Sequence, residues 1–103
     1  MYVSKMYDRK GERIDMDHWS KLLRDPKYRQ VRHSTLLDGV RVSTVWLGQD
    51  HAWDGGRPLI FESMVFKGDK SNLDCERYST EEEAIAGHER MVEKWLLKTG
   101  DDE

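Results

Sequence analysis

Val40-Arg-Val-Ser-Thr-Val-Trp-Leu47, then Gly48-Gln-Asp-His-Ala-Trp-Asp-Gly-Gly-Arg-Pro58, then Leu59-Ile-Phe-Glu-Ser-Met-Val-Phe66 is the stretch that decides the fold. The outer segments are rich in β-branched and aromatic residues and end in turn formers, the signature of two strands. The middle segment is polar, glycine-rich and longer than a tight hairpin requires. Long loops carried on a sheet are where binding residues tend to gather.

Working outward, Arg29 to Leu37 reads as a further strand. Asp38-Gly39 then supplies the type I′ turn favoured by two-residue hairpins. Residues 67–72 form another turn region, followed by a short strand from Leu73 to Tyr78. Upstream, Tyr2 to Tyr7 suits a short strand and Asp8 to Glu12 a turn. Asp15 is a candidate helix N-cap, with Ile14 and Trp19 at the spacing of a hydrophobic staple. Trp19, Leu22 and Leu23 form its apolar stripe, and Asp25-Pro26 ends it. At the C-terminal end Thr80 and Glu83 make a capping box. Ala84, Ile85, His88, Met91, Val92, Trp95 and Leu96 repeat at helical spacing up to Gly100. The expected fold is a single α+β domain over residues 1–103. It is an antiparallel meander of three or four strands, with the C-terminal helix packed on one face and a short N-terminal helix.

Side chains directly opposite one another in a sheet share a face. Pairing Leu37 with Val40, Trp46 with Ile60 and Phe66 with Leu73 gathers Val31, Leu37, Val40, Val42, Trp46, Ile60, Met64, Phe66, Leu73 and Cys75 on one face. A single polar row interrupts it: His33, Thr44, Glu62 and Arg77. That row reads either as a Glu62–Arg77 ion pair with hydrogen-bonding neighbours or as a pocket with Glu62 as base. The opposite face carries Val45, Leu47, Leu59, Phe61 and Val65, apolar enough to call for a cover. The N-terminal helix is one such cover and a homodimer partner the other.

Composition narrows the function classes. The chain of 103 residues carries a net charge of −3 with 36% charged residues, which argues against sequence-independent nucleic-acid binding. Cys75 is the one cysteine, so no internal disulfide framework exists and a reducing cytoplasm fits. No apolar run spans a bilayer and no signal-peptide pattern is present, so a soluble, cytoplasmic protein is expected.

The sequence holds no Ser-His-Asp order, Walker loop, Cys-x-x-Cys pair or Rossmann fingerprint. Asp50 and His51 adjoin Trp53, Asp54 and Arg57, a set too loosely spaced to indicate a metal. Without a ligand, Asp50 caps a turn and His51 stacks on Trp53. Neither a cofactor nor a metal is expected. His88, on the packed face of the last helix, reads as a core histidine, and Gly87 beside it signals close approach to a strand or to the 48–58 loop.

Ser43-Thr-Val-Trp-Leu-Gly48, Asp50-His51, Pro58-Leu-Ile-Phe-Glu62, Met64-Val-Phe66, Arg77-Tyr-Ser-Thr80, Glu82-Glu-Ala84 and Gly87-His88 together resemble a family of small uncharacterised proteins of tailed bacteriophages and prophages. The resemblance covers roughly residues 40 to 92, and Gln49 and Ala52-Trp53-Asp54 depart from it. It implies an accessory protein in the cytoplasm of an infected or lysogenic bacterial host. Such a protein would act stoichiometrically on a host protein or a small nucleotide-like ligand, for instance to inhibit host defence. The recognition surface would be Asp50, His51, Trp53 and Arg57, supported by Glu62, Arg77 and His88. The alternatives are a small hydrolase or nuclease-like enzyme using His51 or His88 with Glu62, and a minor virion structural protein.

Overall fold

The computed structural model describes residues 5–52 and 55–100. Strands β1 (Met6–Tyr7) and β2 (Arg13–Ile14) form a small hairpin. Its turn is held by Asp8, whose Oδ1 accepts from the amides of Lys10 and Glu12. Helices α1 (Met16–Leu23) and α2 (Pro26–Arg29) follow, N-capped by Asp15 and Asp25. The main sheet is an antiparallel meander of β3 (Gln30–Thr35), β4 (Val40–Trp46), β5 (Phe61–Lys67) and β6 (Lys70–Tyr78). Helix α3 (Glu81–Gly100) then returns across one face. The architecture is α+β, as the patterning predicts. The N-terminal strand, however, stays outside the main sheet, touching it through a bridge from Met6 to Gln49.

Two strand registers differ from the expected ones by a single residue. Trp46 pairs with Phe61 and Thr44 with Ser63, not Trp46 with Ile60 and Thr44 with Glu62. The amides of Leu47 and Gly48 both donate to the Ile60 carbonyl, which makes Ile60 the base of the loop and starts the strand one residue later. The helix-side face of β5 is therefore Phe61, Ser63 and Val65. This register keeps the Glu62 carboxylate out of the core, where desolvation would be costly.

At the β3–β4 turn Asp38 and Gly39 do take positive φ, 62° and 73°. Yet Leu36, not Leu37, donates to the Val40 carbonyl. The turn thus spans three residues, Leu37 is 66% exposed, and His33 pairs with Ser43 rather than Thr44.

One-residue slips invert faces, and the predicted polar row dissolves accordingly. Thr44 lies on the helix-side face. His33, Glu62 and Arg77 lie on the other face, together with Met64 and Cys75. The Glu62–Arg77 pairing itself is present. Phe61 and Val65, expected on the face opposite the C-terminal helix, lie on the helix-side face and are fully buried in the core. The apolar argument for a homodimer through that face loses its main members.

The core has two parts. Trp46, Ile60, Phe61, Tyr78 and Ala84 form one, capped by Ile14, Trp19, Leu22 and Tyr28 from the N-terminal elements. Val40, Val42, Val65 and Met91 form the other, beneath Leu36, Val92 and Trp95. Buried indole N–H groups need acceptors: Trp46 donates to the Tyr7 carbonyl and Trp19 to the Leu47 carbonyl, each at 3.0 Å. Arg9 completes the attachment. Its backbone N–H donates to the Tyr28 hydroxyl and its guanidinium to the Tyr28 carbonyl and to Glu81 at the start of α3.

Candidate functional site

The predicted site residues fall in three places. Asp50 and His51 belong to the loop between β4 and β5, and Trp53 lies outside the described residues. Asp50 Oδ1 accepts from the amides of Ala52 (2.8 Å) and Leu59 (3.0 Å), so the carboxylate staples the two arms of the loop together. The His51 side chain is exposed, while its backbone N–H donates to the Leu59 carbonyl. Gly48, with φ of 76°, sits at the loop base where a Cβ would strike the Trp19 and Trp46 rings. Asp50 therefore has the turn-capping role that the sequence offers as its alternative.

His88 is in a different place, buried beneath the sheet and 3% exposed. Its Nδ1 meets Thr44 Oγ1 at 2.7 Å and its Nε2 meets Ser34 Oγ at 2.9 Å. Thr44 in turn bonds Ser63, which accepts from the Tyr78 hydroxyl. The directions close consistently for one tautomer. Tyr78 donates to Ser63, Ser63 to Thr44 and Thr44 to Nδ1, and the Nε2–H donates to Ser34. Burial, with Arg32 and His33 nearby, holds the His88 pKa below its usual value. Burial likewise pushes the Tyr78 phenol up to about 12. The neutral imidazole is thus a satisfied member of a buried polar chain. Glu62 lies on the opposite face of the sheet, so His88 and Glu62 cannot act as a catalytic pair.

Arg57 and Arg77 are brought together, and the company they keep was not predicted. Both border a cleft of about 340 Å³ between the end of β6 and the first turns of α3. Arg90, Tyr78, Ser79 and Glu83 also line it. Each guanidinium is parked on a carboxylate: Arg57 forks onto both oxygens of Glu83 at 3.1 Å, Arg77 meets Glu62 at 3.0 Å, and Arg90 meets Glu76 at 3.0 Å. The Arg57 fork holds the Glu83 carboxyl below its usual range. The Arg57–Glu83 and Arg90–Glu76 pairs are exposed on both sides, and pairs of this kind contribute only about 0–1 kcal/mol. Little energy therefore opposes an exchange of partners at Arg57 and Arg90, whereas Arg77 is held by a Glu62 that is only 13% exposed. On the cleft wall itself three arginines face one glutamate.

Sequence patterning could have suggested Arg90. Glu83, Ala86 and Arg90 are spaced three and four apart and share a helix face. The role of Tyr78 had no local signal, since it depends on the close approach of Gly87 to the Tyr78 ring. Among the described residues no cluster of histidine, cysteine and acidic side chains is suited to a metal ion. No helix among them is long and apolar enough to cross a membrane. Comparison with protein-family models, with curated proteins and with solved structures returns no match.

Proposed function

We propose that this chain is a stoichiometric binding protein of phage type whose ligand is a small, phosphate-bearing anion of nucleotide class. The observation that carries the reading is the convergence of Arg57, Arg77 and Arg90 on one cleft. Guanidinium groups match phosphate oxygens bidentately and form stronger, charge-assisted hydrogen bonds there. Ser79 adds a hydroxyl, and Leu59 and Tyr78 give the cleft apolar surface. Such a mixture of apolar wall and few convergent polar groups is typical of small-molecule sites. A ligand of this kind would displace Glu76 and Glu83 from Arg90 and Arg57 and share the Arg77 guanidinium with Glu62, exchanging weak surface pairs for a multidentate contact. Host signalling nucleotides are the biological class that a phage protein of this kind would sequester.

The test is calorimetric titration of the untagged protein with ADP and with inorganic pyrophosphate, accompanied by native mass spectrometry of the protein as purified. Saturable one-to-one binding is expected, weakened roughly tenfold by Arg77→Ala or Arg90→Ala. Glu83→Gln, which frees Arg57, should tighten binding. Absence of heat with both anions, or binding indifferent to all three substitutions, overturns the assignment.

A further inference from the structure

The cations of this protein are distributed unevenly, and one exposed group of them lies far from the arginine cleft in the chain. Residues 26–35, covering α2 and β3, contain Lys27, Arg29, Arg32 and His33 and not one acidic residue. Among the described residues the ion pairs are made by Arg9, Arg57, Arg77, Arg90 and Lys94. Among the described residues none of the carboxylates pairs with Lys27, Arg29 or Arg32. The side chains of all three are exposed, as is that of His33.

The second half of this segment, β3, is an edge strand, and α2 with Lys27 and Arg29 leads directly into it. β3 pairs with β4 alone, so one row of its backbone N–H and C=O groups has no partner strand. A groove of about 490 Å³ runs along it, lined by Pro26, Lys27, Gln30, Val31, Arg32 and His33. The β-bulge between Gln30 and Arg32 leaves Val31 without a cross-strand partner. Two independent observations therefore coincide: an open strand edge and a run of uncompensated positive charge.

We propose that the β3 edge docks an extended, acidic segment of a partner protein, which adds to the sheet as a further strand. Charge complementarity selects this occupant. A second copy paired edge to edge through β3 would set the same cations against one another, and like charges directly opposite are destabilising. A nucleic acid would find cations over only residues 27–33, the strand itself carrying Arg32 and His33 over roughly 20 Å of length. An acidic strand satisfies both features at once, with backbone hydrogen bonds along the edge and carboxylates on Lys27, Arg29 and Arg32. This site is independent of the arginine cleft.

The experiment uses the full chain and a fluorescein-labelled peptide of about ten residues alternating glutamate and threonine, long enough to lie along a typical strand. The comparators are the lysine–threonine counterpart, the acidic peptide N-methylated at alternate residues, and single-stranded DNA of similar length. The acidic peptide is expected to bind saturably, shifting the backbone amide resonances of residues 30–35. Arg29→Glu with Arg32→Glu should weaken it by roughly tenfold or more while leaving the circular dichroism spectrum unchanged, because both side chains are exposed. N-methylation should weaken it by a similar factor, since it blocks strand addition but leaves the charges in place. Four outcomes overturn the proposal: no saturable binding, equal binding of the lysine peptide, indifference to N-methylation, or tighter binding of the DNA.

Discussion

His88 sits where a positive charge has no carboxylate in contact with it. Its ring nitrogens meet only the hydroxyls of Thr44 and Ser34, with Arg32 and His33 adding repulsion and Glu89 the one opposing charge. Burial first, and then this repulsion, hold its folded-state pKa below the usual 6.5. The unfolded chain takes up this proton as pH falls through about 6.5, whereas the folded protein does so only at lower pH. Between those points the unfolded state binds more protons, so stability falls as pH falls, and above about 6.5 the full contribution is present. Urea denaturation of the wild type and of His88→Leu at pH 7.5 and pH 5 tests this. The variant should lose about 1–3 kcal/mol at pH 7.5, because Thr44 and Ser34 lose a buried partner. Its further loss on acidification should be smaller than that of the wild type. Equal acid sensitivity in both would remove His88 from the account. A neighbouring residue gives a second prediction. Any Cβ on Gly87 meets the Tyr78 ring, so Gly87→Ala should destabilise by about 1–3 kcal/mol through overpacking, despite alanine's better helix propensity. Denaturation midpoints would show it, and a neutral or stabilising result would mean that the ring can move aside.

At the scale of elements, the sequence reads well wherever the determining contacts are local. Thr80 and Glu83 exchange the two hydrogen bonds of a capping box, and Asp15 caps α1 through the His18 amide. Both signals span four residues. The positive φ values of Asp38 and Gly39 follow from their residue types as well. What the sequence does not show is how many residues a turn consumes. Leu36 bonding to Val40 and the late start of β5 at Phe61 each shift pairing by one, with no local mark, and each reverses a face. Thr44 and Ser63 carry the trace of it, as polar breaks in the buried alternation of Val40, Val42, Trp46 and of Phe61, Val65. The candidate site was half legible. Arg57 and Arg77 stand out as cations near a loop and a strand end, but the cleft needs α3 to bring Arg90 beside them. The loop yields a prediction of its own. Asp50→Ala removes the acceptor for two backbone amides, which should cost about 1–3 kcal/mol locally. The Ala52 and Leu59 amides should then exchange hydrogen faster, and unchanged protection would show that Asp50 is not the staple.

Across the whole molecule, net charge is a poor guide to what the surface can bind. A chain of −3 keeps one set of arginines in weak carboxylate pairs around a cleft and leaves another set unpaired along an open sheet edge. The buried polar chain of Tyr78, Ser63, Thr44 and His88, ending on the half-buried Ser34, is fully satisfied, and the surface arginines are the groups proposed to meet ligands. The proposed anion binding rests on this distribution. Salt should weaken it, since exposed pairs are screened over roughly 8–10 Å at physiological ionic strength.

The central claim is that Arg57, Arg77 and Arg90 act together on one anion. Titration of ¹⁵N-labelled protein with ADP, following the arginine Nε–H resonances, tests it most directly. The account predicts that these three shift together along one saturation curve, with the Tyr78 and Ser79 backbone amides following, while Arg29 and Arg32 stay still. Resonances that do not move, or that move first at Arg29 and Arg32, would contradict it.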